Sequence, residues 1–288
     1  MASKETDKSY HAHIVRVKIL RYIVLILLAI LCLFPFYLLL VNSSRTHAQV
    51  MGGFSILPGT QLFKNLRNVL NDGTMPVMRN LLNSIIVAAG SAVCTTYFST
   101  LTAYALHAYD FKGRRAIQTF ILAIMMIPAQ VTALGFVDLM RTFKLENSFI
   151  PLIIPTIAAP VVYYFMKQYM EGALPLEIVE AARIDGSNEF RTFNSIVLPI
   201  MKPAIAVQAI FAFVTSWNNY FTPALILREK KVQTLPIFIA TLRSADFLKF
   251  DMAKVYMAIL LSILPVIIVY IFLSRYIIQG VAVGSVKG

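Results

Sequence analysis

Six intervals free of Asp, Glu, Lys and Arg constrain this chain more than any other feature. They run between Arg21 and Arg45, Arg79 and Asp110, Arg115 and Asp138, Glu146 and Lys167, Lys202 and Arg228, and Lys254 and Arg275. Crossing about 30 Å of hydrocarbon takes roughly 20 helical residues. Lipid offers no partner to an unpaired backbone group, so such segments must be helices. The expectation is an all-α, polytopic membrane protein with six transmembrane helices and both termini on one side. A further uncharged stretch after Arg45 reads QVMGGFSILPGTQ, and its Gly, Pro and polar residues make it a loop. Hydrophobic residues form 58% of the 288 positions, too many for a soluble domain of this size. The net charge of +12 is scattered through loops with no dense run, which suits bilayer flanks better than nucleic acid.

The spans are unequal. The first, Tyr22 to Val41, is nearly all Leu, Ile and Val and suits a lipid-facing position. No small-residue cleavage site follows it, so it reads as a retained span. The second, LLNSIIVAAGSAVCTTYFSTLTAYAL, is rich in Gly, Ala, Ser and Thr, which let helices pack closely in lipid, and should be internal. Pro151, Pro155 and Pro160 should kink the fourth, for gating or simply as membrane helices tolerate proline. Cys32 and Cys94 lie inside apolar stretches and suggest neither a disulfide nor a metal site.

The segment Gly172 to Pro203, GALPLEIVEAARIDGSNEFRTFNSIVLPIMKP, is a charged stretch set between long charge-free intervals. Leu176 to Ile184 are good helix formers, with Pro175 where a helix can start. Asp185-Gly186 should end that helix, since Gly accepts the left-handed turn. A second segment, Asn188 to Ile196, then runs into Leu198-Pro199. Glu177 and Glu180 share a face, and Ala181 and Ala182 are small enough for a partner to approach the backbone. On residues alone this is either a docking knob for a soluble partner or an ordinary amphipathic loop.

Glu180-Ala181-Ala182, Gly186, Ile196, Leu198 and Pro199 resemble the EAA loop of ABC importer permeases, seven positions in register from Glu180 to Pro199. That resemblance implies a cytoplasmic helix-turn-helix coupling loop, residues 172–203, seated on an ATPase dimer. Glu180 would make a polar contact there, Ala181 and Ala182 close packing, and Asp185-Gly186 the turn. It also implies a second, homologous permease and an extracytoplasmic solute-binding protein. ATP and Mg would be held by the partner ATPase, with no cofactor or metal on this chain and no catalysis by it. The location would be the cytoplasmic membrane of a bacterium or archaeon, with both termini cytoplasmic. The dense N-terminal tail and the loop DFKGRR point the same way by the positive-inside rule.

The chain is similar to the maltose-type carbohydrate permeases over nearly its whole length. Trp217-Asn218-Asn219-Tyr220-Phe221-Thr222-Pro223 resembles a segment common in carbohydrate importers. Two adjacent amides in an apolar span need partners, and Trp217 and Tyr220 could stack on a sugar ring. Helix-to-helix bonding with an interfacial aromatic belt explains the same residues. The resemblance implies that the basic loop Arg228 to Lys254 enters a binding protein's cleft, though a solvated loop fits it too. The glycine-rich end from Gln279 to Gly288 would reach the ATPase. The organisation expected is one transmembrane domain: a tail (1–21), a first span with an external loop (22–80), a five-span core (81–275) and a second tail (276–288).

No G-x-x-x-x-G-K-[ST], H-E-x-x-H or G-x-S-x-G occurs. His11, His13, His47 and His107 lie at or outside span ends. Few ionisable groups lie deep in the spans, Asp138 being the nearest, which disfavours an ion-coupled secondary transporter. Within the importer class, a polyol or a glycerol phosphate would use the same scaffold as a sugar.

Overall fold

A computed structural model of the full chain describes residues 2–73, 76–244 and 251–285. They are helical, with no strand among the described residues. The fold divides into two compact units, one of Met1–Asp72 with Ala245–Leu260, the other of Gly73–Ser244 with Leu261–Gly288.

The first unit holds α1 (Ala2–Ser43), α2 (His47–Met51), α3 (Leu62–Leu70) and the start of α14 (Met252–Ser285). The polar N-terminal tail is thus helical and continuous with the first span. From Leu20 to Leu33 the large apolar side chains of α1 are exposed, as a lipid-facing helix requires. The residues after α1 form a cap tied by side chain-to-backbone bonds. Asn65 Nδ2 donates to the Ser43 and Arg45 carbonyls at 2.8 Å each, and Thr46 and Gln49 form a capping box at the start of α2. The Lys254 ammonium meets Asp72 at 2.6 Å, and the Met252 amide donates to His47 Nδ1 at 3.0 Å, so α14 begins anchored to this cap. At Gly59 an added Cβ would lie 2.4 Å from the Ser44 carbonyl oxygen. Gly59→Ala is therefore expected to break the Gln61 amide bond to that oxygen, now 2.8 Å, and to cost about 2 kcal/mol by overpacking. Thermal unfolding of the purified chain in detergent checks this.

The second unit is built on α4 (Val77–Ala108), which packs against α8 (Pro160–Ala173) and α11 (Leu198–Trp217). Ala88, Ala92, Ser91, Thr95, Thr96, Ser99, Thr100 and Ala103 are buried along it, recurring every three or four residues. The small-residue span is the internal one, as expected. Its hydroxyls also solve a problem that the prolines create. Pro160 has no N–H for the Thr156 carbonyl, and Thr95 Oγ1 donates to that oxygen at 3.1 Å instead. Ser91 Oγ donates to the Leu152 carbonyl at 3.2 Å. The proline-rich stretch is accordingly broken into α7 (Ile150–Ile153), a 3₁₀ turn (Ile154–Ile157) and α8. Thr95→Val, which keeps the shape and removes the donor, is expected to cost about 1 kcal/mol, near the upper range for bonds within a membrane. A reversible unfolding titration in mixed micelles checks that value.

Two expectations change. Among the described residues, five helices are long and apolar enough to span a bilayer: Val17–Ser43, Val77–Ala108, Ile150–Ala173, Glu189–Trp217 and Met252–Ser274. The interval from Arg115 to Asp138 is instead split into α5 (Arg114–Ile124) and α6 (Ala129–Thr142). Pro128 is extended, at φ −63° and ψ 131°, and α5 closes with tight bonds from Met125, Met126 and Ile127 to residues three back. Both halves of the broken pair still pack on the bundle, through Ile121 and Met140. Arg114 lies near Lys167 at one end, while Met140 packs with Val87 and Leu152 at the other.

The second correction concerns the fifth span. It begins at Glu189, not after Lys202, and it ends at Trp217. Beyond it lie α12 (Phe221–Ile226), a 3₁₀ turn (Lys230–Val232) and α13 (Leu235–Ser244), so the loop from Arg228 contains a helix that starts at its proline. Residues 245–250 lie outside the described residues. So does the final VKG, but α14 continues through Gly280 and Gly284 to Ser285, where a glycine-rich tail was expected.

Candidate functional site

The segment 172–203 emerges where α4 and α8 end and α11 begins. Its root is a buried cluster of Tyr104, Met166, Met170, Leu174, Val179, Phe193 and Met201. His107 Nε2 donates to the Leu174 carbonyl at 3.0 Å and fixes the point where α9 (Leu176–Ile184) departs. Burying Val179 and Ala182 then sets the rotation of α9 about its axis.

The turn after α9 is a Schellman motif. Gly186 sits at φ +76°, its amide donates to the Arg183 carbonyl at 3.0 Å, and the Ser187 amide donates to the Ala182 carbonyl at 2.9 Å. Asn188 then caps α10 (Glu189–Thr192), its side chain accepting from the Arg191 amide at 2.8 Å. A π turn, Phe193–Val197, follows without a break in the helix, and the Leu198 amide donates to the Phe193 carbonyl. The wider turn accommodates Pro199, which has no amide to offer the preceding turn. The second helix of the expected pair is thus the first part of the fifth span, continuous with α11.

Arg183 and Glu189 close the turn. Arg183 Nε donates to Glu189 Oε1 at 2.8 Å, and Tyr104 Oη on α4 donates to Oε2 of the same carboxylate at 2.9 Å. The Arg183 guanidinium also lies 5.1 Å from the centre of the Tyr109 ring, within cation–π range. Burial, and next the Glu189 carboxylate, raise the Tyr109 hydroxyl above its ordinary pKa. This cluster went unread in the sequence. Arg183 and Glu189 are six apart and Tyr104 is 85 residues from Glu189, so no local spacing marks them.

The expected docking residues separate into two groups. Glu180, Ala181, Asp185 and Gly186 are exposed, as is Glu177. Ala182 is not: at 6% exposure it belongs to the chain's own interior, which corrects its expected place against a partner. Two apolar residues replace it on the outside, Ile184 at 86% and Phe190 at 74% exposure, one on each side of the Gly186 turn. Leu198 and Pro199 line a separate groove of about 320 Å³ with Tyr97 and Ile205, at the first turn of α11.

The four candidate pathway residues also divide. Trp217 is buried and stacks on Phe213, with centroids 5.6 Å apart at 15°. Asn218 and Tyr220 are exposed, and Asn219 Oδ1 accepts from the Thr222 amide at 3.4 Å. The amides occupy the turn between α11 and α12 rather than the interior of a span.

Residues 96–283 match the family described as binding-protein-dependent transport system inner membrane component. The chain is 36% identical over 265 residues to the arabinooligosaccharides transport system permease protein AraQ of Bacillus subtilis (strain 168), covering 91% of this chain and 93% of that protein. It is 30% identical over 274 residues to the trehalose/maltose transport system permease protein MalG of Thermococcus litoralis, with 94% and 97% covered. A solved chain of a bacterial ABC transporter involved in import of the acidic polysaccharide alginate superposes with a TM-score of 0.78 at 25% identity, over 90% of this chain and 95% of that one. The chain therefore belongs to the binding-protein-dependent transport system inner membrane components, the multi-pass permease subunits of ABC importers.

Proposed function

We propose that this permease carries an oligosaccharide or related sugar, and that the α9–Gly186–α10 element couples it to a cytoplasmic ATPase dimer. The supporting observation is the build of that element. It is closed internally by the Schellman turn and the Arg183–Glu189–Tyr104 bonds, and it runs unbroken into a transmembrane helix. It presents Glu177, Glu180, Ala181, Ile184 and Phe190 outward. Glu180 supplies a charge for a basic group in the ATPase, Ala181 lets the surfaces approach, and Ile184 and Phe190 fill apolar recesses. Closure of the ATPase on ATP then swings the element as a rigid body and rocks the spans between inward- and outward-facing states.

On this reading the α9 end of the bundle is cytoplasmic, as are both termini. The loop DFKGRR lies at the same end, since α4 reaches it just past Tyr104, and its basic character fits a cytoplasmic face. The broken α5–α6 pair completes six crossings. A second, homologous permease forms the other half of the pathway, and a solute-binding protein delivers the sugar from outside. Asn218 and Tyr220 are the pathway residues open to a solute. The sugar assignment rests on relatives named for arabinooligosaccharide and trehalose/maltose transport.

The test is co-purification of the chain with the products of its neighbouring genes, followed by ATP hydrolysis with binding protein and candidate solutes. A second permease, an ATPase and hydrolysis stimulated by an oligosaccharide are expected. Stimulation by a polyol or a glycerol phosphate alone would replace the sugar assignment. Solute flux driven by an ion gradient without ATP would overturn the whole reading.

A further inference from the structure

We infer that the α4–α5 turn forms a binding site for the headgroup of an anionic phospholipid. Asp110 to Arg115 connect α4 to α5 through Gly113, which sits at φ +95°. The turn borders a cavity of about 750 Å³, with Arg114, Arg115 and Lys167 in its lining. Its two acidic residues are Asp110 and Glu171. Glu171 is already engaged, its Oε1 2.6 Å from the Lys167 ammonium. Among the described residues, neither Arg114 nor Arg115 has a carboxylate within salt-bridge distance, so two guanidiniums face the space against Asp110 alone. Lys112 is exposed on the same turn.

The backbone adds to this. No side chain caps α5, and the Arg114 amide is taken by Phe111 and the Ile117 amide by Gly113. The intervening amides of Arg115 and Ala116 have no acceptor within the helix, as at any helix start. Arginine forks and helix-start amides together suit phosphate oxygens. The neighbouring surface suits an acyl chain, because α5 buries none of its residues and Ile117 and Phe120 are 44% and 65% exposed beside exposed Phe111. A roomy, basic cavity continuous with an apolar helix face matches an amphiphile better than a free anion. Basic pockets at the cytoplasmic ends of membrane helices hold anionic headgroups in this way.

Native mass spectrometry of the full chain in detergent tests the site with phosphatidylglycerol, phosphatidylcholine and inorganic phosphate as probes. Phosphatidylglycerol should be retained over phosphatidylcholine. Arg114→Gln/Arg115→Gln should reduce that preference by on the order of fivefold per arginine while helicity is unchanged. Equal retention of the two lipids by the parent chain, or an unaltered preference in the double variant, overturns the site. Displacement of phosphatidylglycerol by millimolar phosphate overturns the lipid assignment in favour of a free anion. If the double variant does not fold, the parent decides: a preference that does not weaken as salt is raised overturns the electrostatic basis. None of these outcomes depends on which solute the permease carries.

Discussion

Gly186→Pro is expected to abolish solute-stimulated ATP hydrolysis and uptake while the membrane helices still assemble. Gly186 holds φ +76° and gives its amide to the Arg183 carbonyl. Proline is locked near φ −65° and has no amide, so both the turn and one of its two closing bonds are lost. The element would then yield when the ATPase closes, instead of carrying the motion into α11. Gly186→Ala separates the two causes. It keeps the amide and pays only the left-handed backbone strain, about 1–2 kcal/mol, and should retain much of the coupling. The measurement is the ratio of stimulated to basal hydrolysis in proteoliposomes containing the complete transporter. A Gly186→Pro variant with a normal ratio would remove α9–α10 as the coupling element. Glu180→Lys tests the contact rather than the turn. It leaves the fold untouched, because Glu180 is exposed, and should weaken ATPase retention during purification.

Glu189→Ala should act through the same element from its other end. It leaves Arg183 without its carboxylate and Tyr104 without its acceptor. Arg183 and Glu189 are 36% and 44% exposed, so solvent screening holds their ion pair to about 1 kcal/mol or less. The Tyr104 bond is better sheltered and involves a charged acceptor, which puts it at about 1.5–3 kcal/mol. Loss of both should lower coupled uptake about tenfold, a factor that corresponds to about 1.4 kcal/mol. The exchange Arg183→Glu with Glu189→Arg restores the ion pair but gives Tyr104 no carboxylate. Partial recovery would therefore assign the remainder to Tyr104. A Tyr104→Phe variant that matches Glu189→Ala, with no further loss when the two are combined, would show that they act as one unit. Full additivity would mean that the turn is not held from α4.

How much of this was legible beforehand depends on the range over which each feature is decided. Charge-free intervals of bilayer length force helices, because a backbone in lipid can be satisfied only within its own segment. The alternation of small and hydroxylated residues in α4 also marked it as the inner helix, since close packing replaces the hydrophobic effect as the organising force there. The Asp185-Gly186 turn was readable because its requirement for φ > 0 is local.

Other features passed through the sequence unmarked. The interruption between Ile124 and Ala129 involves a single proline, and a helix can absorb a proline or break at one according to whether neighbours satisfy the freed groups. At Pro160 the helix breaks too, at Ala158–Ala159, but Thr95 satisfies the freed Thr156 carbonyl and the span resumes in α8. At Pro128 the chain extends and the helix breaks.

The direction of the two alanines was equally hidden. A docking motif says that Ala181 and Ala182 are small, but consecutive residues on a helix point about 100° apart. Which of the two faces outward depends on where Val179 and the His107–Leu174 bond pin α9. The sequence by itself therefore determined the membrane class, the family and the Asp185-Gly186 turn, because each follows from composition or short spacing. Only the tertiary structure decided which side of α9 faces outward, and that its turn is braced from Tyr104. Those facts arise from bonds between residues far apart in the chain, which no local pattern records.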